Sequence, residues 1–460
     1  QRTITYEKNP RNDIDWFTIA TGIASDQGPG DDGEYDHQHI RNIHDDLLAF
    51  TYTYANELFD GSQGGNDDPG NPSPSQVADD LNNGTSIINY TGHGSTTSWG
   101  SSGFSNGDVN NLVNDNMLPF VWSVACVNGN FTNNTCFAEA WLRATNNGEP
   151  TGAIAFLAST INQSWNPPMC GQDEMNDILV ETYPDNINRT FGALSMHGCM
   201  QMNDEYGADG DEMTDTWTCF GDPSVMVRTA VPEDLTVTHD PVLFIGTSQL
   251  MVMTDVDGAR ATLMVDGSVV ATGVVQGGSV TLTFTQLSNP GTATLTVTAF
   301  NHNPYIEDID IIPAEGPYVM LQDYDINDET GNGNGHADYD EIIRLDLIME
   351  NMGVEDAVDV SFTLNIEDNY ITVTDNIESI DNIPAGESVL IEDAFEMIVA
   401  DSVPDEHTIM GTIISSDGNE DWQSFLQLKL NAPVIEIESL TIDDSENGNG
   451  DGELDPERAG

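Results

Sequence analysis

Basic residues are scarce in this sequence. Lys and Arg together number 11 among 460 residues, against 78 Asp and Glu, so the formal net charge is −67. Such a negative surface repels the phosphates of nucleic acids and anionic lipid headgroups, which excludes both as partners. Self-repulsion on this scale also requires counter-ions, either a saline medium or specifically bound divalent cations, and we expect both.

Long apolar runs are absent, and cysteines are few. No stretch offers the roughly 18 uninterrupted apolar residues of a membrane-spanning helix. Because the number of cysteines is odd, at least one thiol is unpaired within the chain and is a candidate reactive group. The five cysteines all lie in the first half of the chain: Cys126, Cys136, Cys170, Cys199 and Cys219. The sequence shows neither an initiator Met nor a signal peptide, so we expect a segment of a longer secreted protein.

The hydrophobic pattern divides the chain into four regions. Residues 1–230 alternate continuous apolar runs with helical patterns, which predicts an α/β domain with a mostly parallel sheet flanked by helices. Residues 231–313 and 314–435 contain short strand patterns separated by turns, which predicts two all-β sandwich domains of immunoglobulin-like type. Residues 436–460 begin a second copy of the last module. The predicted helices are His37–Leu58, Cys136–Thr145 and Gly171–Thr182.

An acidic, glycine-rich segment occurs twice near the end of the chain. DETGNGNGHADYDE at 328–341 returns as DSENGNGDGELDPE at 444–457. Carboxylate and amide oxygens at alternating positions of a tight loop are typical Ca²⁺ ligands, although a flexible solvated linker has a similar composition. We therefore expect structural calcium and no organic cofactor. The candidate ligands are Asp328, Asn332, Asn334, Asp338, Asp340 and Glu341 in the first copy, and Asn447, Asn449, Asp451, Glu453, Asp455 and Glu457 in the second.

A histidine and a cysteine each follow a predicted buried strand. His93 lies between two glycines in SIINYTGHGS, and Cys126 follows the run LPFVWSVA. Because the carboxyl ends of parallel strands share one edge of the sheet, the two side chains are expected to meet there. A thiol paired with an imidazole is a nucleophile with its acid/base partner. A buried structural cysteine and a turn histidine would have the same spacing, so the pair alone leaves both interpretations open.

Longer sequence blocks favour the catalytic interpretation. NYTGHGSTTSWG, LPFVWSVACVNGNF, GEPTGAIAFLASTINQSW, PMCGQDEMNDIL and DTWTCFGDPSVMVRT resemble the gingipain family of caspase-like cysteine peptidases. The resemblance implies a caspase-like fold for residues 1–230, preceded in the family by a further N-terminal subdomain. It also implies that Cys126 is the nucleophile, that His93 is the acid/base, and that the amides of Gly94 and Cys126 form the oxyanion hole. An acidic residue orients the histidine in this family, and Asp26 or Glu34 is expected in that role.

The same resemblance implies a specificity pocket. Asp36 matches an aspartate at the base of the pocket in arginine-cleaving members, while Trp165 and Met169 match the residues that line it. A carboxylate pairs with a guanidinium through two hydrogen bonds, and an indole stacks on its plane. Asp36 could instead cap the helix that is predicted to begin near His37.

The sequence therefore predicts a secreted, calcium-binding cysteine endopeptidase that cleaves after Arg, or less favourably after Lys, through a thioester on Cys126. The expected partners are protein or peptide substrates, with attachment to a cell surface through a further C-terminal region. Two alternatives remain at this point. One is a sortase-like processing peptidase for secreted proteins, and the other is a non-catalytic, calcium-dependent surface or adhesion protein.

Overall fold

The first 230 residues form a layered α/β region. The structure, a computed structural model, describes residues 1–132, 134–287, 289–312 and 315–433. The helices of this region are α1 (Arg2–Lys8), α2 (Asp36–Phe50), α3 (Pro74–Asn83), α4 (Asn106–Val109), α5 (Phe137–Arg143), α6 (Asn166–Leu179), α7 (Phe191–Tyr206) and α8 (Ala208–Thr216). The strands are β1 (Ile19–Ala24), β2 (Tyr54–Phe59), β3 (Ile87–Thr91), β4 (Gly94–Ser95), β5 (Ser98–Trp99), β6 (Phe120–Val124), β7 (Thr145–Asn146), β8 (Glu149–Pro150), β9 (Ala155–Ser159) and β10 (Trp217–Gly221).

A central sheet carries this region, with strand order β10-β9-β6-β3-β1-β2. All neighbouring pairs from β9 to β2 are parallel, and β10 alone of these strands runs antiparallel. Every residue of β3, β6 and β9 is buried. Continuous burial is expected where helices cover both faces of a parallel sheet, so the predicted fold class is confirmed.

Two predicted helices differ from the structure. The interpretation of His37–Leu58 as one helix is wrong, because α2 ends at Phe50 and β2 follows as a strand that pairs with β1. The β-branched and aromatic run between them, TYTY at 51–54, favours extended backbone. Helix α6 begins at Asn166 rather than at Gly171. Prolines fit its first turn, where a backbone N–H has no partner within the helix.

Two arginines fix α1 to the rest of this region. The guanidinium of Arg228, a residue only 7% exposed, donates to the carbonyl oxygens of Tyr6 and of Glu7, the latter at 3.2 Å. Arg2 donates to the carbonyl oxygens of Thr151 at 3.0 Å and of Ala144 at 3.1 Å. These cations therefore satisfy buried carbonyl groups rather than projecting into solvent.

Residues 233–312 contain short strands in small sheets. The sheets have the orders β11-β19, β12-β14-β17 and β13-β20-β18-β15-β16. This all-β arrangement is the immunoglobulin-like architecture expected from the sequence. The strands are β11 (Glu233–Asp234), β12 (Val237–His239), β13 (Val242–Phe244), β14 (Gln249–Thr254), β15 (Arg260–Val265), β16 (Ser268–Val274), β17 (Ser279–Thr283), β18 (Gly291–Thr298), β19 (His302–Asn303) and β20 (Tyr305–Ile312).

A second β-region follows and has longer strands. Its sheets have the orders β21-β23-β27-β25 and β22-β29-β28-β24-β26. Burial alternates along β23, so Ile343, Leu345, Leu347 and Met349 share a core with residues of the other sheet. The strands are β21 (Val319–Asn327), β22 (Ala337–Asp338), β23 (Ile342–Asn351), β24 (Ala357–Ile366), β25 (Ile371–Asp375), β26 (Ile377–Ile383), β27 (Ser388–Val399), β28 (His407–Ser416) and β29 (Asp421–Asn431).

The chain divides into two compact units. The first contains Gln1–Val237, Thr254–Thr262 and Leu295–Glu307. The second contains Thr238–Met253 and the described parts of Leu263–Thr294 and Asp308–Gly460. The domain boundaries drawn from the sequence stay predictions, and the module at 436–460 lies outside the described residues. None of the helices in the described ranges is long and apolar enough to span a membrane.

Candidate active site

His93 and Cys126 leave the sheet side by side. Strands β3 and β6 are parallel neighbours, and their last residues, Thr91 and Val124, are paired. The amide of Gly92 donates to the carbonyl oxygen of Val124 at 3.1 Å, which keeps the two chains together one residue further. Both segments therefore reach the same edge of the sheet, where active sites of α/β folds occur.

The backbones of the two segments touch at Gly94. A Cβ atom at this position would lie 2.6 Å from the carbonyl oxygen of Cys126 and 2.9 Å from the Cβ atom of Ala125. Only glycine permits this approach, because those distances are shorter than any normal contact. The predicted oxyanion residues, Gly94 and Cys126, are thus adjacent. The backbone amide of Cys126 donates no backbone hydrogen bond within the described ranges, so it is available to an oxyanion.

The Cys126 thiol is free and partly exposed. It borders a crevice that Gly92, Gln163 and Trp165 also line. Both polar atoms of the Gln163 side chain are buried without a hydrogen-bond partner in the described structure. Cys126 is therefore partly exposed next to a side chain whose buried polar groups are unsatisfied, which is uncommon in folded proteins.

The turn after Cys126 is strained and firmly anchored. Val127 has φ 52°, a left-handed conformation that β-branched residues rarely adopt. Its amide donates to the carbonyl oxygen of Ile161 at 2.9 Å, and the amide of Gly129 donates to that of Ser159 at 2.8 Å. Such strain costs about 1–3 kcal/mol and persists only where surrounding bonds impose it, which is common around reacting groups.

Asn128 joins this turn to the hairpin that follows His93. Its side-chain amide donates to the carbonyl oxygens of Ser95 at 2.6 Å and of Ser98 at 3.1 Å, and its Oδ1 accepts from Ser123 at 3.0 Å. Asn128 is completely buried. Sequence reasoning missed this residue, although its place two positions after the cysteine was a usable signal.

A glutamine, rather than either predicted acid, contacts the histidine ring. Gln27 Nε2 lies 2.8 Å from His93 Nε2. Asp26 is exposed and makes no hydrogen bond in the described part of the chain. Glu34 accepts a hydrogen bond from Asn42 at 2.5 Å and lies 3.7 Å from Nδ1 of His39, so α2 holds it away from His93. Neither Asp26 nor Glu34 therefore hydrogen-bonds His93 in the described part of the chain.

The three predicted pocket residues converge beside His93. Trp165 Nε1 donates to Asp36 Oδ1 at 2.9 Å, and Ser25 donates to the other carboxylate oxygen. The His93 and Trp165 rings meet edge to face at 5.4 Å. Met169 is buried against Gly30, where a Cβ atom would lie 2.3 Å from its sulfur.

Asp36 is the first residue of α2, but its carboxylate bonds Ser25 and Trp165 instead of capping the helix. The side chain is fully buried. Burial raises the pKa of Asp36 to about 6, against the opposing effect of its two hydrogen bonds. The carboxylate is therefore mostly ionised at neutral pH.

A buried polar network lies beneath the strand ends. Thr91 donates to Gln172 Oε1 at 2.6 Å, and His39 Nε2 lies 3.1 Å from the same oxygen. Burial alone would lower the pKa of His39, but the carboxylates of Asp173 and Glu34 raise it to about 10. His39 is therefore a buried cation that links α2 to α6 and to the end of β3. Sequence reasoning missed this role.

The first acidic loop closes upon itself. Asp328 accepts from the amides of Asn334 at 2.8 Å and Gly335 at 3.1 Å, and Glu341 accepts from the amide of Asn332 at 2.9 Å. The side chains of Asn332 and Asn334 both donate to Asp338. Asp340 lies on the same loop with φ 57°. The predicted ligands of the second copy, Asn447, Asn449, Asp451, Glu453, Asp455 and Glu457, lie outside the described residues.

Comparisons with known proteins agree with this geometry. The family model "Peptidase family C25" matches residues 1–228, and "Peptidase family C25, C terminal ig-like domain" matches residues 242–312. Gingipain R1 of Porphyromonas gingivalis is 44% identical over 320 residues, which are 69% of this chain but 31% of that protein. Lys-gingipain HG66 of the same organism is 24% identical over 258 residues, 50% of this chain and 14% of that protein. The chain thus spans about a third of gingipain R1, or less.

A solved structure supports the same relationship. The crystal structure of the Arg specific cysteine proteinase gingipain R matches with a TM-score of 0.64 and 43% identity, covering 67% of this chain and 71% of that one.

Proposed function

The chain belongs to peptidase family C25, and from that premise we propose that it is a cysteine endopeptidase that cleaves peptide bonds after arginine. The observation that carries this proposal is the exit of His93 and Cys126 from adjacent parallel strands, beside a crevice whose Trp165 donates a hydrogen bond to the buried Asp36 carboxylate. The non-catalytic alternative leaves that arrangement unexplained, as well as the strained turn behind the thiol.

The reaction follows from the roles that the side chains can take. The Cys126 thiolate attacks the carbonyl carbon of the scissile bond, and the resulting oxyanion accepts hydrogen bonds from the amides of Gly94 and Cys126. Protonated His93 then donates its proton to the leaving amine, which leaves a thioester on Cys126. Neutral His93 next takes a proton from water, whose oxygen attacks the thioester carbon. Collapse of that intermediate releases the acid and restores the Cys126 thiolate beside protonated His93.

Asp36 gives the pocket its preference for a basic residue. A guanidinium can bind the carboxylate through two parallel hydrogen bonds and stack on the Trp165 indole, whereas an ammonium lacks both the fork and the plane. The relationships favour the same choice, because the Arg specific gingipain R is 43% identical and Lys-gingipain HG66 is 24% identical.

The decisive experiment combines hydrolysis with covalent labelling. Fluorogenic peptides with Arg or Lys before the scissile bond are offered to the wild-type chain, to Cys126→Ala and to the control Cys219→Ala. Cys219 is also a partly exposed free thiol, but burial raises its pKa to about 11, so it should not react. We expect an arginyl chloromethyl ketone to label Cys126, and Cys126→Ala to abolish hydrolysis while Cys219→Ala retains it. Undiminished hydrolysis by Cys126→Ala would disprove the assignment.

We also propose that the loop 328–341 binds Ca²⁺. The oxygen donors suit this hard cation. The loop backbone at Gly331 packs closely against the Glu341 carboxylate, since a Cβ atom there would lie 1.6 Å from Glu341 Oε1. Asn332, Asn334, Asp338 and Glu341 would hold the ion, with Asp328 and Asp340 on the same loop. Calcium sites of extracellular modules have Kd values of about 0.1–1 mM, so a saline extracellular medium would fill such a site, consistent with secretion.

Thermal melting tests the calcium proposal. We expect CaCl₂ to raise the Tm of the wild-type chain more than MgCl₂ does, because the larger ion accepts an irregular oxygen cage. Asp338→Ala should remove the calcium-dependent increment, while Asp381→Ala, a change at an exposed residue on β26, should keep it. Equal increments in both variants would show that calcium only screens charge.

A further inference from the structure

Gln27 occupies the place where an acid was expected. Its side-chain nitrogen lies 2.8 Å from Nε2 of His93, and that ring meets Trp165 on another side. The amide can meet Nε2 in two ways: its N–H donates to an unprotonated Nε2, or, with the terminal group turned over, its oxygen accepts from a protonated Nε2. Only the second leaves Nδ1 unprotonated in the neutral ring, which is the form that can take up a proton there.

The backbone of Gln27 is fixed to the specificity pocket. Its amide donates to Ser25 Oγ at 3.2 Å, and its carbonyl oxygen accepts from the amide of Asp36 at 2.9 Å. Ser25 also donates to the Asp36 carboxylate. The residue that contacts the histidine ring is therefore held by the same two residues that build the floor of the pocket.

An amide differs from a carboxylate in what it offers to an imidazole. A carboxylate only accepts hydrogen bonds, so it favours the protonated ring strongly. An amide oxygen accepts from a protonated Nε2 in the neutral ring and in the imidazolium alike, which leaves Nδ1 free to give and to take a proton. It can thus orient both protonation states while adding no charge.

We propose that Gln27 is the positioning residue of His93, and that it serves the neutral and the protonated ring alike. This inference rests on the proposed peptidase function. Protonated His93 is the form that donates to the leaving amine, and neutral His93 is the form that activates water. Gln27 keeps the ring in place through both halves of the cycle, while the Asp60 carboxylate interacts with the same ring electrostatically without a hydrogen bond to it.

The test compares Gln27→Ala, Gln27→Glu and the control Gln38→Glu. Gln38 lies on exposed α2 surface, where its side chain accepts from the amide of Tyr35, and glutamate can accept the same bond. The control therefore adds the same charge near the pocket without touching His93. We measure kcat and KM for an arginyl peptide amide from pH 5 to pH 10.

Gln27→Ala should lower kcat by about tenfold or more with KM nearly unchanged, because misplacement of a catalytic group affects the chemical step. Gln27→Glu should move the alkaline limb of kcat/KM upward by about one pH unit or more, since an adjacent negative charge retains the imidazolium. Gln38→Glu should leave that limb in place. A wild-type kcat in Gln27→Ala, together with superimposable profiles for the two glutamate variants, would overturn the proposal.

A second measurement needs no turnover. The ring resonances of His93, assigned by their loss in His93→Gln, are titrated by NMR in the wild-type chain and in Gln27→Glu. A higher titration midpoint in Gln27→Glu supports the contact even if no peptide is cleaved, in which case the peptidase proposal alone fails. Identical midpoints contradict the role of Gln27 whatever the activity.

Discussion

Gly94 shows how much a single absent side chain determines in this site. The carbonyl oxygen of Cys126 occupies the space that a Cβ atom would need. A substitution there would force apart the segments that carry Cys126 and His93. The residues of the pocket are equally interdependent, because Asp36, Ser25 and Trp165 share hydrogen bonds.

Asp36→Asn should reduce kcat/KM for arginyl peptides by about two to three orders of magnitude, because an amide leaves the buried guanidinium without its counter-charge. In the wild-type chain, KM for these peptides should rise as the pH falls through about 6, where the Asp36 carboxylate becomes protonated. Steady-state kinetics across this range checks both expectations. A peptide with a neutral residue before the scissile bond is the control, since its KM should not follow the same titration. An unchanged arginine preference in Asp36→Asn would place the specificity elsewhere.

At the scale of elements, the site depends on the packing of α2 and α6 against the carboxyl end of β3. His39 on α2 lies 3.4 Å from the Asp173 carboxylate and bonds Gln172, both of which are on α6. Gln172 in turn accepts a hydrogen bond from Thr91. The ring of His39 is fully buried, so its charge is compensated by the carboxylates of Asp173 and Glu34, the latter 3.7 Å away.

The stability of this packing should decrease at alkaline pH. Because the folded-state pKa of His39 is about 10, above the ordinary 6.5, its contribution is complete below pH 6.5 and disappears as the pH rises through about 10. Denaturant unfolding of the wild-type chain and of His39→Gln at pH 6 and pH 9.5 measures the effect. The difference between the two proteins should shrink by a few kcal/mol, roughly, at the higher pH. A constant difference would show that His39 is not charged in the folded state.

The sequence predicts elements better than it predicts contacts. Strands β3, β6 and β9 lie within, or end one residue beyond, continuous apolar runs of the sequence, because strands buried on both faces consist mostly of apolar residues. These runs are residues 86–90, 119–125 and 153–158. Strand β2 was missed, since its residues also fit a helical pattern until the sheet is known. The contact between Gln27 and His93 depends on the path of the loop after β1. A difference of one residue in the length of that loop changes which side chain faces the histidine. No periodicity records such a path, and an acidic neighbour, Asp26, was therefore expected in place of Gln27.

At the scale of the whole molecule, the net charge of −67 is the dominant physical property. Several of the described cations already pair with carboxylates, such as Arg41 with Glu57 and Arg344 with Glu396. Most of the 78 acidic side chains therefore have no cation to offset them, and self-repulsion favours the unfolded chain.

Salt should stabilise the protein substantially. Raising NaCl from 0.01 M to 1 M shortens the Debye length from about 30 Å to about 3 Å, which removes repulsion between distant carboxylates. Differential scanning calorimetry should show a Tm that increases throughout this range. KCl should act equally, because screening does not depend on the identity of the cation. A Tm that is flat or falls with salt would show that carboxylate repulsion is not a significant term.

The burial of Arg228 has a consequence for self-cleavage under the proposed specificity for arginine. A guanidinium enclosed by carbonyl groups cannot enter the pocket of a neighbouring molecule unless α1 first detaches. Because arginines are rare in this chain and Arg228 is buried, one copy of the chain exposes few bonds that the proposed activity could cleave in another copy. The proposed cleavage after arginine would therefore act on other proteins more readily than on further copies of this chain.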